Sequence, residues 1–112
     1  MTVNEYQREA MSMLNPALGK NDVLINSVMG LCGESGEAID IVKKWFAQGH
    51  ELDREHLAKE LGDIAWYLAE AATALDLSLD DIFQANLDKL RRRYPDGEFS
   101  VERSKSREKG DN

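Results

Sequence analysis

The stretch from Leu57 to Leu75 reads LAKELGDIAWYLAEAATAL. Its apolar residues Leu57, Leu61, Ile64, Leu68, Ala72 and Leu75 recur three and four apart, the period of an α-helix with one buried face. A helix is therefore expected from Asp53 to Leu75. Immediately before it, the turn Gly49-His50-Glu51-Leu52 leads back into a longer periodic segment, Asp22 to Gln48, with Leu24, Val28, Leu31, Val42 and Phe46 on one face. So short a connection makes the two helices antiparallel neighbours. Gly30, Gly33 and Gly36 lie inside the longer helix, where each costs about 1 kcal/mol relative to alanine. Close approach by another backbone or by a ligand is the expected compensation.

Further out, a first helix is expected from Val3 to Asn15, opened by Thr2 as N-cap with Glu5 three residues on and stopped by Pro16. Tyr6, Ala10, Met13 and Leu14 form its inner stripe. A fourth helix follows Ser78, with Asp80 and Asp81 in its first turn and Tyr94-Pro95 at its close; Leu79, Phe83 and Leu90 are its apolar face. No segment alternates with a period of two, so the fold class is all-α. Residues 1–99 read as one four-helix domain, and Ser100 to Asn112, mixed in charge and poor in apolar residues, as a mobile tail.

Composition limits the functions available. With 42% hydrophobic and 31% charged residues, the 112-residue chain resembles an ordinary globular domain, small enough that a second subunit would help bury its core. A net charge of −7, from 21 acidic and 14 basic residues, argues against nucleic acid or an anionic membrane as partner. To bind phosphates, such a chain needs cations between its own carboxylates and the ligand. Cys32 is the only cysteine, and the start Met1-Thr2-Val3-Asn4-Glu5 lacks a basic then apolar leader, so a cytoplasmic protein is expected.

Two pairs of acids stand out. Glu34 and Glu37 lie three apart on the second helix, Glu60 and Asp63 three apart on the third, each pair on one helical face at the margin of the apolar stripe. Four carboxylates at the rim of an antiparallel pair repel one another unless a divalent cation sits among them. All-oxygen donors suit Mg²⁺ or Mn²⁺ rather than zinc. Among 21 acids one such pair arises readily by chance, so the fourth helix matters. There Asn86, Lys89 and Arg93 share a strip, and an amide, an ammonium and a guanidinium are apt donors to a metal-bridged triphosphate. Arg91 and Arg92 read instead as a solvated helix end.

Other residues read as structural. His50 and His56 are expected at the surface without a partner at ligand spacing, Cys32 as a buried inert thiol, and Trp45 and Trp66 as core or interface aromatics. The glycine run lacks the Gly-Lys-Ser/Thr ending of a P-loop.

The run Gly30-Leu31-Cys32-Gly33-Glu34-Ser35-Gly36-Glu37, then Glu60-Leu61-Gly62-Asp63, then Asn86-Leu87-Asp88-Lys89-Leu90 and Arg93-Tyr94-Pro95, resembles the MazG-like nucleotide pyrophosphohydrolases over about residues 2–99. The resemblance implies an all-α fold assembled as a dimer or tetramer. It implies Mg²⁺ held by Glu34, Glu37, Glu60 and Asp63, with Asn86 and Lys89 meeting the phosphates of a nucleoside triphosphate that is cleaved to monophosphate and pyrophosphate. Many members carry a glutamate where this chain has Gly33, so one carboxylate is missing from the fuller pattern. Phosphoribosyl-ATP or dUTP hydrolysis, and a non-catalytic helical oligomerisation module, are the competing readings of the same scaffold.

Overall fold

The computed structural model describes residues 1–106. Among these there are five helices and no strand: α1 (Val3–Met11), α2 (Lys20–Gln48), α3 (Arg54–Ala74), α4 (Leu79–Arg93) and α5 (Val101–Lys105). They fall into two compact units, Met1–Leu79 with α1, α2 and α3, and Asp80–Asn112 with nearly all of α4.

In the first unit α3 is central, with α2 and α1 both packed on it. Thr2 caps α1 as expected, its Oγ1 accepting from Glu5 N at 3.1 Å. The helix ends at Met11, short of Asn15, because the amides of Met13 and Leu14 turn to carbonyls three residues back and the Ser12 hydroxyl takes the Glu9 carbonyl at 2.6 Å. Lys20 rather than Asp22 begins α2, which ends where Gly49 adopts a left-handed φ of 73°. Asp53 caps α3 by accepting from His56 N at 3.1 Å.

Polar ties fix α1 on α3. Gln7 Nε2 donates to Thr73 Oγ1 at 3.0 Å and to the Leu77 carbonyl at 3.1 Å, while its Oε1 accepts from Leu79 N at 2.7 Å. Trp66 Nε1 donates to the Ala10 carbonyl at 3.2 Å, which makes this tryptophan part of the scaffold.

The α2–α3 contact is set by two features. A Cβ on Gly30 would stand 2.1 Å from the Tyr67 ring, so only glycine lets the ring lie flat on α2. One turn away, Glu70 is fully buried and both its oxygens accept from Asn26 Nδ2 at 3.0 Å. Gly33 and Gly36 differ from Gly30, for a Cβ on either meets nothing within 4 Å. The expected close approach is thus made by a side chain, and at one glycine of the three.

The buried apolar residues are Ala10, Val23, Ile41, Ala69, Ala72, Ala74 and Leu79, four of them alanines. Several residues expected on inner faces are exposed instead: Met13, Val28, Phe46, Leu61, Leu75 and Phe83. Cys32 is likewise exposed, not buried. For Val28, Phe46 and Cys32 the reason is coverage: α2 has α3 on one side and no second helix packed extensively across from it in this unit.

In the second unit Tyr94 packs on Phe99 with ring centroids 5.5 Å apart, and Ser100 caps α5 by accepting from Arg103 N at 3.0 Å. A short helix thus occupies part of the stretch expected to be a mobile tail; residues 107–112 of that stretch lie outside the described residues. No helix among the described residues is long and apolar enough to cross a membrane.

Urea unfolding should separate the glycines. Gly36→Ala, adding a methyl group in open space on a helix, is expected to stabilise the protein by up to about 1 kcal/mol, whereas Gly30→Ala, which must displace Tyr67, is expected to destabilise it by about 1–3 kcal/mol.

Candidate metal centre

The acids expected to converge do so to different degrees. One carboxylate oxygen from each of Glu34, Glu37 and Glu60 lies within 4.8 Å of the others. Helical spacing brings Glu34 and Glu37 to one face of α2, and antiparallel packing against α3 brings Glu60 to meet them. Asp63 is exposed and outside this trio, yet near enough that its charge adds to the negative field at Glu34. The same charge, after burial, helps raise the pKa of the Tyr6 phenol on α1.

Electrostatics within the trio are unusual. Glu60 is only 6% exposed, and Glu34 is half-buried. Glu34 Oε2 and Glu60 Oε2 are both buried with no donor facing them. Two acceptors so placed must share a proton or a cation. Accordingly Glu34 is pushed up to about 7, first by a hydrogen bond with Glu60, then by burial and the charges of Glu37, Glu60 and Asp63. Glu60 is held below the usual glutamate value, first by that same hydrogen bond, and further by hydrogen bonds with Glu37 and His56 that outlast the opposing effect of burial. One proton shared between Glu34 and Glu60 accounts for both directions.

A divalent cation fits the same place. Three hard oxygen donors, two of them with buried oxygens lacking any partner, match the ligand preference of Mg²⁺ or Mn²⁺.

His56 is exposed, as expected, but it is not without a partner: its Nε2 lies 3.1 Å from Glu60 Oε1, four residues on along α3. The signal was in the sequence, since His56 and Glu60 stand at i and i+4 and helical spacing alone makes them neighbours. His50 is exposed, as expected.

A cleft of about 790 Å³ opens beside the carboxylates, where Gly33, Gly36, Glu37 and Lys44 of α2 face His50 and His56. Its volume is in the range of small-molecule sites. Gly33 and Gly36, which no protein contact explains, leave the α2 backbone bare along this cleft. Lys44 is 3.0 Å from Asp40 Oδ2 and, with Lys43, holds the Asp40 carboxyl below its usual value.

Asn86, Lys89 and Arg93 lie in the second unit, on one strip of α4; Asn86 is exposed, Lys89 and Arg93 half-buried.

Comparison with known proteins agrees with the pattern of the acids. The model of the MazG nucleotide pyrophosphohydrolase domain matches residues 24–97, a span that contains all four acids and the α4 strip. The Gene 37 protein of Mycobacterium phage L5 is 41% identical over 105 residues, which cover 87% of this chain and 92% of that protein. No solved structure matches.

The shared proton has a consequence for stability in metal-free protein. Glu34 has a folded pKa of about 7 against 4.5 ordinarily, so the folded state keeps a proton that the unfolded chain releases. That stabilisation is complete below 4.5 and is lost as pH rises through about 7; Glu60, shifted the other way, acts only at lower pH. With EDTA present, the Tm of the parent protein relative to Glu34→Gln should therefore fall between about pH 5 and about pH 8. Parallel Tm profiles for the two proteins would contradict the shared proton.

Proposed function

The chain belongs to the MazG nucleotide pyrophosphohydrolase family, and on that premise we propose that it hydrolyses a nucleoside triphosphate to the monophosphate and pyrophosphate with Mg²⁺ as cofactor. The observation that carries this reading is the pair of buried, partnerless oxygens of Glu34 and Glu60 inside a group of three carboxylates. A fold gains nothing from such an arrangement, which costs desolvation and repulsion together. It becomes favourable when a hard cation is bound.

Glu34, Glu37 and Glu60 would hold the ion, with Asp63 completing the set from α3. Bound there, Mg²⁺ or Mn²⁺ supplies charge to offset the phosphate oxygens and lowers the pKa of water. The attacking water adds to the α-phosphorus, the bond to the bridging oxygen breaks, and pyrophosphate leaves with that oxygen. The water's proton passes to a carboxylate of the group. Asn86, Lys89 and Arg93 are assigned to the departing phosphates, where donors of this kind offset developing charge. The adjacent cleft, floored by bare α2 backbone at Gly33 and Gly36, has room for a part of the nucleotide.

The exposed apolar residues of α2, Ile25, Val28, Met29, Ile39 and Phe46, support assembly as a homodimer or homotetramer. An acidic chain with a single cysteine is consistent with a cytoplasmic enzyme that acts on free nucleotides rather than on nucleic acid.

A panel of ordinary, deoxy and damaged triphosphates, read by pyrophosphate release with and without Mg²⁺, tests the activity and identifies the preferred base and sugar. Glu37→Ala and Asp63→Ala should each lower the rate by about a hundredfold or more, since loss of a metal ligand removes several kcal/mol of transition-state stabilisation. Either variant working at the parent rate would rule out the assigned site.

A further inference from the structure

We propose that His56 is a positioning residue for the cation site: its Nε2–H holds Glu60 Oε1 so that the second oxygen of that carboxylate is kept for the ion. This rests on reading Glu34, Glu37 and Glu60 as the ligands of a divalent cation.

The argument begins with Glu60. Its side chain is buried, and its two oxygens are treated differently by the protein: Oε1 is 3.1 Å from His56 Nε2, and Oε2 has no partner. A glutamate with three rotatable bonds can present either oxygen at several angles, and a donor fixed on one oxygen removes that freedom. A carboxylate oxygen can only accept, so the imidazole must carry its hydrogen on Nε2.

Asp53 stands on the other side of His56. The histidine's own amide donates to Asp53 Oδ1 at 3.1 Å, at the first turn of α3, and its Nδ1 stands 3.9 Å from Asp53 Oδ2. The Asp53 carboxylate therefore does two things. One oxygen caps the helix, and the other faces the ring edge opposite Glu60. The sequence Asp53, His56, Glu60 thus forms a line along one face of α3 from the solvent-exposed N-cap to the buried ligand. His56 also lines the cleft beside Glu37, so the ring stands at the wall of the cleft rather than in the core.

An alternative role, a simple i,i+4 helix contact, would affect helix stability and leave cation binding untouched. The two are separable without turnover. Binding of Mn²⁺ alone to the full chain, followed by loss of the free-ion paramagnetic resonance signal, should be about tenfold weaker in His56→Ala, as is typical when a residue that orients a metal ligand is removed. His56→Gln, whose side-chain amide can donate to Glu60 from the same position, should return to within about threefold of the parent. Thermal unfolding in EDTA identifies any variant that fails to fold. His56→Ala that is folded and binds Mn²⁺ as tightly as the parent overturns the positioning role, as does His56→Gln that is as weak as His56→Ala. A parent protein that binds no Mn²⁺ overturns the cation site itself, and this role with it. If His56→Ala alone misfolds, His56→Gln and His56→Asn carry the comparison: the longer amide binding more tightly than the shorter is the expected result, and equal affinities overturn the role.

Discussion

The register of α2 against α3 is the constraint on which the rest depends. It is set where Tyr67 lies on the bare backbone at Gly30 and where Asn26 reaches the buried Glu70. From Gly30, one and two turns forward along α2 lead to Glu34 and Glu37; from Tyr67, one and two turns back along α3 lead to Asp63 and Glu60. Because the helices are antiparallel, these steps go in the same direction in space. A slip of one turn at Gly30 would separate Glu60 from both its partners, so the packing of an aromatic ring on a glycine determines whether the carboxylates meet at all.

What meets there is electrostatically unfavourable by itself. Three carboxylates within 4.8 Å of one another, one of them buried, repel strongly in a region of low dielectric. The crowding shows in the carboxyls themselves: Glu34 is pushed up to about 7 and Glu60 is held below its usual value, the first cause in each case being the contact between the two. A divalent cation bound there would compete with a proton for the same oxygens.

Much of this was legible in the sequence, and the physical reasons for success and failure differ by residue. Periodicity located all three helices of the first unit, and the short turn at Gly49 gave their antiparallel pairing, because both depend on local spacing. The i,i+3 pairs placed Glu34 with Glu37 on one face for the same reason. The exposure of Val28, Phe46, Leu61 and Cys32 was not legible: an amphipathic stripe says which face is apolar, not what covers it. Nor was the end of α1, where the Ser12 hydroxyl and local three-residue turns compete with the helix before Pro16 intervenes. The His56–Glu60 contact follows from i,i+4 spacing, but spacing alone does not tell a histidine that ligates a metal from one that donates to a carboxylate. Gly33 and Gly36 were grouped with Gly30 by composition, and only three-dimensional packing separates the one that touches protein from the two that do not.

The helix pair holds two kinds of buried carboxylate, and their contrast separates scaffold from site. Glu70 is fully enclosed, but an amide nitrogen of Asn26 serves both its oxygens, so its burial is compensated inside the chain and its position strengthens the α2–α3 contact. Glu60, ten residues earlier on the same helix, is nearly as buried, yet one oxygen is served by His56 and the other by nothing. Burying a carboxylate without donors is costly, and α3 demonstrates with Glu70 that the same helix pair can supply them. The omission at Glu60 and Glu34 therefore leaves acceptor capacity unused, and a shared proton or a hard cation is chemistry that suits oxygens so placed.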